Sequence, residues 1–534
     1  MSDGGQPNDR RRSKAFLFLL CCAAAAGAPH ALDPVRATLP SLILAGLLGG
    51  YSLRTLMLAG QTPSGSAPAP ADPSAAPDSA AAGSPIPAPS GASLPAVAIA
   101  AGSESGDQGD QARGPGQPPV AFAAAASPQE SLEPGAPSVL SPQVPPSPVA
   151  TAPLVDVVVA ARDEQAVITR LVATIAGLRW PEGRLRLWIV DDGSEDRTPE
   201  LLEALRRRHP LLTVLRRPRS AGGGKSAALN LVLQRLEGRW MLVLDADAEL
   251  PADLLERLIP QAELGGWAGL QLRKAVVNAE ANWLTRAQAM EMALDALVQE
   301  GRLAAGGVAE LRGNGQLLLR ESLLACGGFN ESTVTDDLDL SFRLLLQRQP
   351  IGLLWDPPVR EEAVLRLPAL WRQRQRWAEG GLQRFFDYWP ALWSDRLPAQ
   401  QRLDLACFFL LQYVLPVLAA VDLAASLLTS TMPSIWPLSL VTLPLSGIAI
   451  LRSCQRPSEG PALPAPHPFN VLLGMAYLAH WFLVIPWVTV RMALLPKRLV
   501  WAKTLHHGAF EALDPQEPDE DGVEGEEDLA TEVG

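Results

Sequence analysis

Charged residues and cysteines are scarce in this chain. Only 19% of its 534 residues are charged against 48% hydrophobic, and the formal net charge is -12. A net surplus of acid argues against nucleic acid as a partner. The five cysteines, Cys21, Cys22, Cys326, Cys407 and Cys454, show no C-x-x-C spacing and no adjoining His cluster. That excludes a zinc site or a disulfide framework; they read as small apolar residues in core or membrane, suited to a reducing compartment. Aromatics and periodicity are nearly missing from residues 61–152, which are rich in Ala, Pro, Ser and Gly. Such a segment cannot bury enough apolar surface to offset chain entropy and reads as a disordered tether. Much of the negative charge is local: eleven acids lie between Glu511 and the C-terminus. Mutual repulsion there predicts a disordered, solvating tail over residues 510–534.

Long apolar runs are what the chain has instead. Arg10-Arg11-Arg12 and Lys14 precede an apolar stretch at 15–27, and a second run at 39–60 is broken only by Arg54. The first run alone is about half the length of a bilayer span. A cleaved signal peptide is one reading. The preferred reading is an anchor over residues 1–60, of one span or two, with the basic N-terminus cytoplasmic. Three more runs follow late, at 405–428, 435–451 and 471–494. The first and third are long enough to span, whereas Pro437 and Pro444 weaken the middle one. Residues 400–500 are therefore expected to carry two or three transmembrane helices, followed by basic Lys497, Arg498 and Lys503.

Between tether and membrane region, residues 153–390 alternate strand and helix signals. Apolar runs at 154–160, 185–190, 212–215 and 240–244 read as strands. Helical spacing falls at 164–178, 201–208 and 226–236. Alternation of this kind predicts an α/β domain around a mostly parallel sheet, with ligands at the C-terminal strand edges.

The chemistry-bearing residues fall at those edges. Leu244-Asp245-Ala246-Asp247 closes the fourth strand run with two carboxylates one residue apart, an arrangement that can converge on one divalent cation. Around it stand Val190-Asp191-Asp192-Gly193-Ser194, Thr335-Asp336-Asp337, and Gln373-Arg374-Gln375-Arg376-Trp377. Asp-x-Asp alone is common in solvated turns; the four motifs in this order point to a nucleotide-sugar glycosyltransferase. Gly222-Gly223-Gly224-Lys225-Ser226 runs into a helix but is no Walker loop, because position 219 is Arg. Its backbone can still approach a diphosphate, with Lys225 adding a point charge. Residues 373, 376 and 377 share a helix face; the bland reading is an interfacial helix with Trp371, Trp377 and Trp389 as belt aromatics.

This set resembles the membrane-integrated subgroup of the family 2 glycosyltransferases, marked by D, D-x-D, T-[DE]-D and Q-x-x-R-W. That subgroup includes polysaccharide synthases of the cellulose and poly-N-acetylglucosamine type and cyanobacterial glucosyltransferases making monoglucosyldiacylglycerol. The resemblance covers somewhat under half of the chain. It implies a GT-A (Rossmann-like) cytosolic catalytic domain flanked by transmembrane helices. It further implies that Asp192, Glu164 and Lys225 help hold a UDP-sugar, and that Asp245 and Asp247 bind Mg2+ or Mn2+ on the diphosphate. Asp337 would be the general base, with Asp339 as rival, and Gln373, Arg376 and Trp377 would complete the donor site. Where the family usually has Thr-Glu-Asp, this chain has Asp336, a shorter carboxylate. One base and no covalent intermediate mean inversion, an α-linked donor giving a β-glycoside.

The acceptor stays open between two readings. One is a glycolipid synthase that adds one hexose, most simply glucose, to a membrane lipid such as diacylglycerol. The other is a processive polysaccharide synthase. Few spans and no Phe-x-Val-Thr-x-Lys gating loop favour the lipid. A non-catalytic scaffold that only binds nucleotide sugar is a third possibility, disfavoured because every expected catalytic position is occupied.

Overall fold

The computed structural model describes residues 10–32, 34–60 and 152–495. The expected tether at 61–152 falls outside these residues except for its last position, and the acidic tail at 510–534 and the basic cluster 497–503 lie wholly outside.

A seven-stranded mixed sheet organises the α/β domain, in the order β3-β2-β1-β4-β6-β5-β7. Its central strand β1 (Val155–Ala161) is buried along its whole length, which is why its sequence is a continuous apolar run rather than an alternation. On one side lie β2 (Leu185–Asp191) and β3 (Leu212–Arg216), both parallel. On the other lies β4 (Trp240–Leu244), also parallel to β1. The expected helices appear as α3 (Ile168–Ala176), α4 (Thr198–Arg208) and α5 (Gly224–Leu233). One expectation needs correcting: α3 begins at Ile168, so Glu164 sits in the loop after β1 and not in a helical first turn. The intervening turn is fixed by Asp163, whose φ of 53° is left-handed, and by the Glu164 amide, which donates to Thr198 Oγ1 at 2.8 Å.

The far side of the sheet departs from a simple parallel reading. Strand β6 (Gln316–Leu319) runs antiparallel to both β4 and β5 (Gly269–Val276), and β7 (Ile351–Glu361) pairs parallel with β5. Because β6 is reversed, its beginning meets the end of β4, with Val243 opposite Gln316. That brings the Gly313-Asn314-Gly315 turn to the same edge as Asp245.

Among the described residues, five helices are long and apolar enough to cross a membrane: Arg11–Ala31, Arg36–Leu58, Ala399–Thr429, Trp436–Gln455 and Pro468–Leu494. Both N-terminal runs therefore qualify, as does the proline-containing middle run. The long helix α7 (Trp283–Ala304) and α10 (Leu367–Leu392) join this layer to the sheet. Buried charge locks the join. Arg302 of α7 donates to Asp404 (Nη2 to Oδ2, 2.8 Å) and to Glu310, and Arg384 of α10 donates to the other Glu310 oxygen at 2.5 Å. Tyr51 of the second N-terminal helix also donates to Asp404, at 2.8 Å. Burial works against a charge on Glu310, yet the Arg384 and Arg302 guanidiniums hold its carboxyl down at about 2.

Candidate active site

A cavity of about 510 Å³ opens at the C-terminal edge of β1 and β4. Nearly all the predicted residues line it. Glu164, Lys225, Asp245, Asp247, Asp337, Gln373, Arg376 and Trp377 are all in its wall, drawn from five different segments. Asp192 is the exception. It is buried one residue beyond β2, with its Oδ1 2.9 Å from Arg217 Nη1. Arg217 also donates to the Gly222 and Gly224 carbonyls, tying Asp192 to the glycine-rich loop. Burial raises the Asp192 pKa, and the neighbouring Arg217 and Arg162 oppose that. Arg217 was not foreseen; its only signal was a basic pair, Arg216-Arg217, just before the loop.

The glycines of this loop are there for conformation. Gly222, Gly223 and Gly224 all have positive φ, and Gly224 is the first residue of α5. Lys225 therefore projects from the first turn of a helix, and its Nζ donates to Asp245 Oδ1 at 2.5 Å. Burial acts to lower its pKa, but Asp245, Asp336 and Asp337 outweigh that and hold the ammonium above its ordinary value. Asp245 itself is positioned through its backbone: its amide donates to Asn314 Oδ1 at 3.1 Å, and Asn314 Nδ2 donates to Glu361. Asp247 is nearly buried, at 5% exposure, and accepts from the Glu362 amide at 3.0 Å. So the two carboxylates are held by segments that the reversed β6 and the end of β7 deliver.

Asp336 and Asp337 open helix α9 (Asp336–Leu346). Asp337 is backed by Gly313, where a Cβ would come within 3.3 Å of its Oδ2. Burial first, and then Asp336 beside it, push the Asp337 carboxyl above the usual carboxylate range; the Leu338 amide, Lys225 and Lys274 pull the other way. The rival Asp339 is differently placed. It is 2% exposed and accepts from Arg343 Nε (2.7 Å), Tyr388 (2.9 Å) and Asn330 (3.1 Å), so its lone pairs are committed.

On α10 the Q-x-x-R-W face meets the cavity. Trp377 has the Arg374 guanidinium 4.0 Å from its ring centroid and Lys274 Nζ 5.8 Å away. Arg374 also donates to the Gln373 side chain at 2.6 Å, to Glu291 and to Tyr477. Arg376 lines the cavity without an ion-pair partner among the described residues. Lys274 is a second cation that sequence reasoning missed, visible only as a basic interruption of the β5 run; its Nζ lies 3.2 Å from Glu361.

A family model described as "Glycosyltransferase like family 2" matches residues 152–380. A beta-monoglucosyldiacylglycerol synthase from Synechocystis is 46% identical over 368 residues, 67% of this chain and 76% of that one. The chain belongs to the family 2 glycosyltransferases. A poly-beta-1,6-N-acetyl-D-glucosamine synthase from Staphylococcus epidermidis is a more distant relative of this glycosyltransferase. It is 24% identical over 242 residues, 44% of this chain and 56% of that one. Among solved structures, the mannosyltransferase PcManGT from Pyrobaculum calidifontis, in complex with GDP-Man and Mn2+, covers 63% of the glycosyltransferase and 87% of its own chain. Its sequence identity is 22% and its TM-score 0.43.

A divalent cation fits the donor set. Both Asp245 and Asp247 offer hard carboxylate oxygens at the cavity wall, and no group of three or more His, Cys, Asp or Glu gathers as a complete protein cage among the described residues. Two carboxylates completed by substrate phosphates and water are the usual way Mg2+ is held in nucleotide sites. The contact of Lys225 with Asp245 shows how strongly this wall attracts positive charge.

Proposed function

We propose that this glycosyltransferase transfers glucose from UDP-glucose to the hydroxyl of diacylglycerol, giving a β-glucoside. One observation carries the reading. The cavity that holds the carboxylates and cations of the donor end is also walled by side chains of the membrane helices, Phe408, Leu411 and Phe482 among them. A polar donor and an apolar acceptor can meet in such a space without the lipid leaving its bilayer. The Synechocystis relative, named for the same product, supports it.

The residues would share the work as follows. Asp337 takes the proton of the acceptor hydroxyl as its oxygen forms a bond to the anomeric carbon. The bond from that carbon to the diphosphate breaks on the opposite face, so configuration inverts and UDP departs with the electron pair. Lys225 and Arg376 face the diphosphate as a point charge and a fork of donors. Trp377, held by Arg374, gives the sugar ring an aromatic face. A divalent cation on Asp245 and Asp247, when bound, would neutralise charge on the departing UDP. Catalysis takes place on the cytoplasmic side. Arg11 of the basic N-terminus donates to Glu379 of α10 at 2.6 Å, placing that terminus beside the catalytic domain, and basic flanks favour the cytoplasm.

The test is purified full-length protein in detergent with Mg2+ and radiolabelled UDP-glucose or UDP-N-acetylglucosamine, with and without diacylglycerol. Label from UDP-glucose entering organic solvent only when diacylglycerol is present is the expected result. High-molecular-weight aqueous product without added lipid would sink this reading in favour of a polysaccharide synthase.

A further inference from the structure

Two membrane helices lose regular geometry where they meet the cavity. Between α11 (Ala399–Phe409) and α12 (Leu415–Thr429), residues Leu410–Val414 form a π turn. Between α14 (Pro468–Leu478) and α15 (Trp481–Leu494), Ala479 and His480 interrupt the helix. The residues at each break, Leu411, Gln412 and Tyr413 on one side and Leu478, Trp481 and Phe482 on the other, line the cavity. π turns are uncommon and concentrate at functional sites. Here the wider turn carries a lone amide, Gln412, into the cavity from within an otherwise apolar stretch, Phe408-Phe409-Leu410-Leu411. Gln412 is half-buried and makes no hydrogen bond among the described residues. A polar side chain at membrane depth that faces a cavity without a protein partner is costly unless something else meets it.

The charges on the same stretch of wall are all neutralised locally. Arg312 pairs with Asp295 at 3.1 Å and Arg384 with Glu310 at 2.5 Å, and the wall carboxylate Glu291 is paired from behind by Arg374. Once Arg376 is taken by the donor, as proposed above, no unpaired cation remains for an anionic headgroup among the described residues of this wall. The cavity thus offers apolar wall, one neutral amide and a carboxylate base to its acceptor, and an anionic lipid would bring a charge it could not match.

We propose that the space between these two helix breaks is the acceptor subsite, that it admits a neutral glycerolipid from the bilayer, and that the Gln412 amide hydrogen-bonds the ester-linked glycerol so that the free hydroxyl faces Asp337. This rests on the reading of the chain as a lipid glucosyltransferase. It goes further by excluding phosphate-bearing acceptors and by assigning lipid recognition to residues outside the four motifs.

The test uses full-length protein in vesicles of neutral phospholipid with Mg2+ and UDP-glucose. Diacylglycerol and, separately, a polyprenyl phosphate are offered as acceptors to wild type, Gln412→Leu and Leu411→Trp. Loss of one hydrogen bond in a low-dielectric site should raise the KM for diacylglycerol about tenfold in Gln412→Leu, with KM for UDP-glucose within about twofold of wild type. Leu411→Trp narrows the same passage and should weaken use of long-chain diacylglycerol more than of a short-chain analogue. Retention of the UDP-induced rise in Tm by both variants certifies that they fold. Unchanged acceptor kinetics in both folded variants, or ready glucosylation of polyprenyl phosphate by wild type, overturns the subsite. Wild type that glucosylates neither lipid overturns the underlying functional reading instead, and the two failures are thereby separate.

Discussion

At the scale of single residues, the site sorts its carboxylates by environment. Asp339 is sequestered by Arg343, Tyr388 and Asn330, while Asp337 stands at the cavity wall with its pKa raised by burial and by Asp336. A raised pKa makes a stronger base, but one that is protonated sooner as pH falls. The acid limb of kcat/KM should therefore lie above the ordinary aspartate range, with activity lost as pH drops through it; a limb at the usual aspartate value would contradict the assignment. Asp337→Asn should lower kcat by about 10²- to 10⁴-fold, the usual worth of a positioned base, while calorimetry still detects UDP binding. Full activity in that variant would remove Asp337 from the mechanism. Metal dependence is checked at Asp247, whose carboxylate is held by the Glu362 amide. Chelation should abolish turnover, and Asp247→Asn should raise the Mg2+ concentration needed for half-maximal rate; turnover in EDTA equal to that in Mg2+ would discount the cation.

At the scale of elements, α9 and α10 approach so closely that Gly380 faces Thr335 with no room for a methyl group. A Cβ there would collide with the Thr335 side chain, so the helix bearing Arg376 and Trp377 would be forced from the helix bearing Asp337. Overpacking of this kind costs about 1–3 kcal/mol. Gly380→Ala should lower Tm by a few degrees and cut kcat far more than a comparable loss of stability elsewhere, measured by thermal unfolding beside initial rates. An unaltered rate would mean that the spacing of the two helices does not set the geometry of the site. Gly313 is set first by its backbone, with φ of 85°, and a Cβ there would also stand 3.3 Å from Asp337 Oδ2.

At the scale of the whole molecule, catalytic domain and membrane helices are joined by buried ions rather than by apolar packing alone. Arg302 is fully buried and answers both Asp404 and Glu310, with Tyr51 completing the set. Removing the cation leaves Asp404 without its buried counter-charge, although Glu310 keeps Arg384, and breaking such a pair typically costs about 3–5 kcal/mol. Arg302→Met should thus unfold at markedly lower temperature in detergent, whereas Arg179→Met, which breaks an exposed pair with Glu256, should be close to neutral. Equal Tm values for the two variants would show that the buried network does not couple the layers. The helix pair Pro468–Leu494 holds α10 through Tyr477 on Arg374 and Arg491 on Gln375 and Glu379, so the Q-x-x-R-W stretch is gripped from the membrane side.

The sequence by itself determined the α/β domain and the apolar helices around it, and it named most of the motif side chains that fold into the cavity wall. Periodicity of apolar residues and runs of carboxylate and glycine are local properties, written in adjacent positions. It also misjudged locally: Glu164 was placed in a helix that begins only at Ile168, because a left-handed Asp163 and a side-chain bond to Thr198 hold the turn open. Only the tertiary structure decided that β6 runs backwards, since strand direction is set by pairing partners far away in the chain. That reversal is what brings Asn314 to Asp245. Likewise Arg217, Lys274 and Gln412 have no motif of their own; each matters through what packs opposite it. The resemblance already favoured Asp337 over Asp339 as the base; what folding adds is the set of partners, Arg343, Tyr388 and Asn330, that engages Asp339.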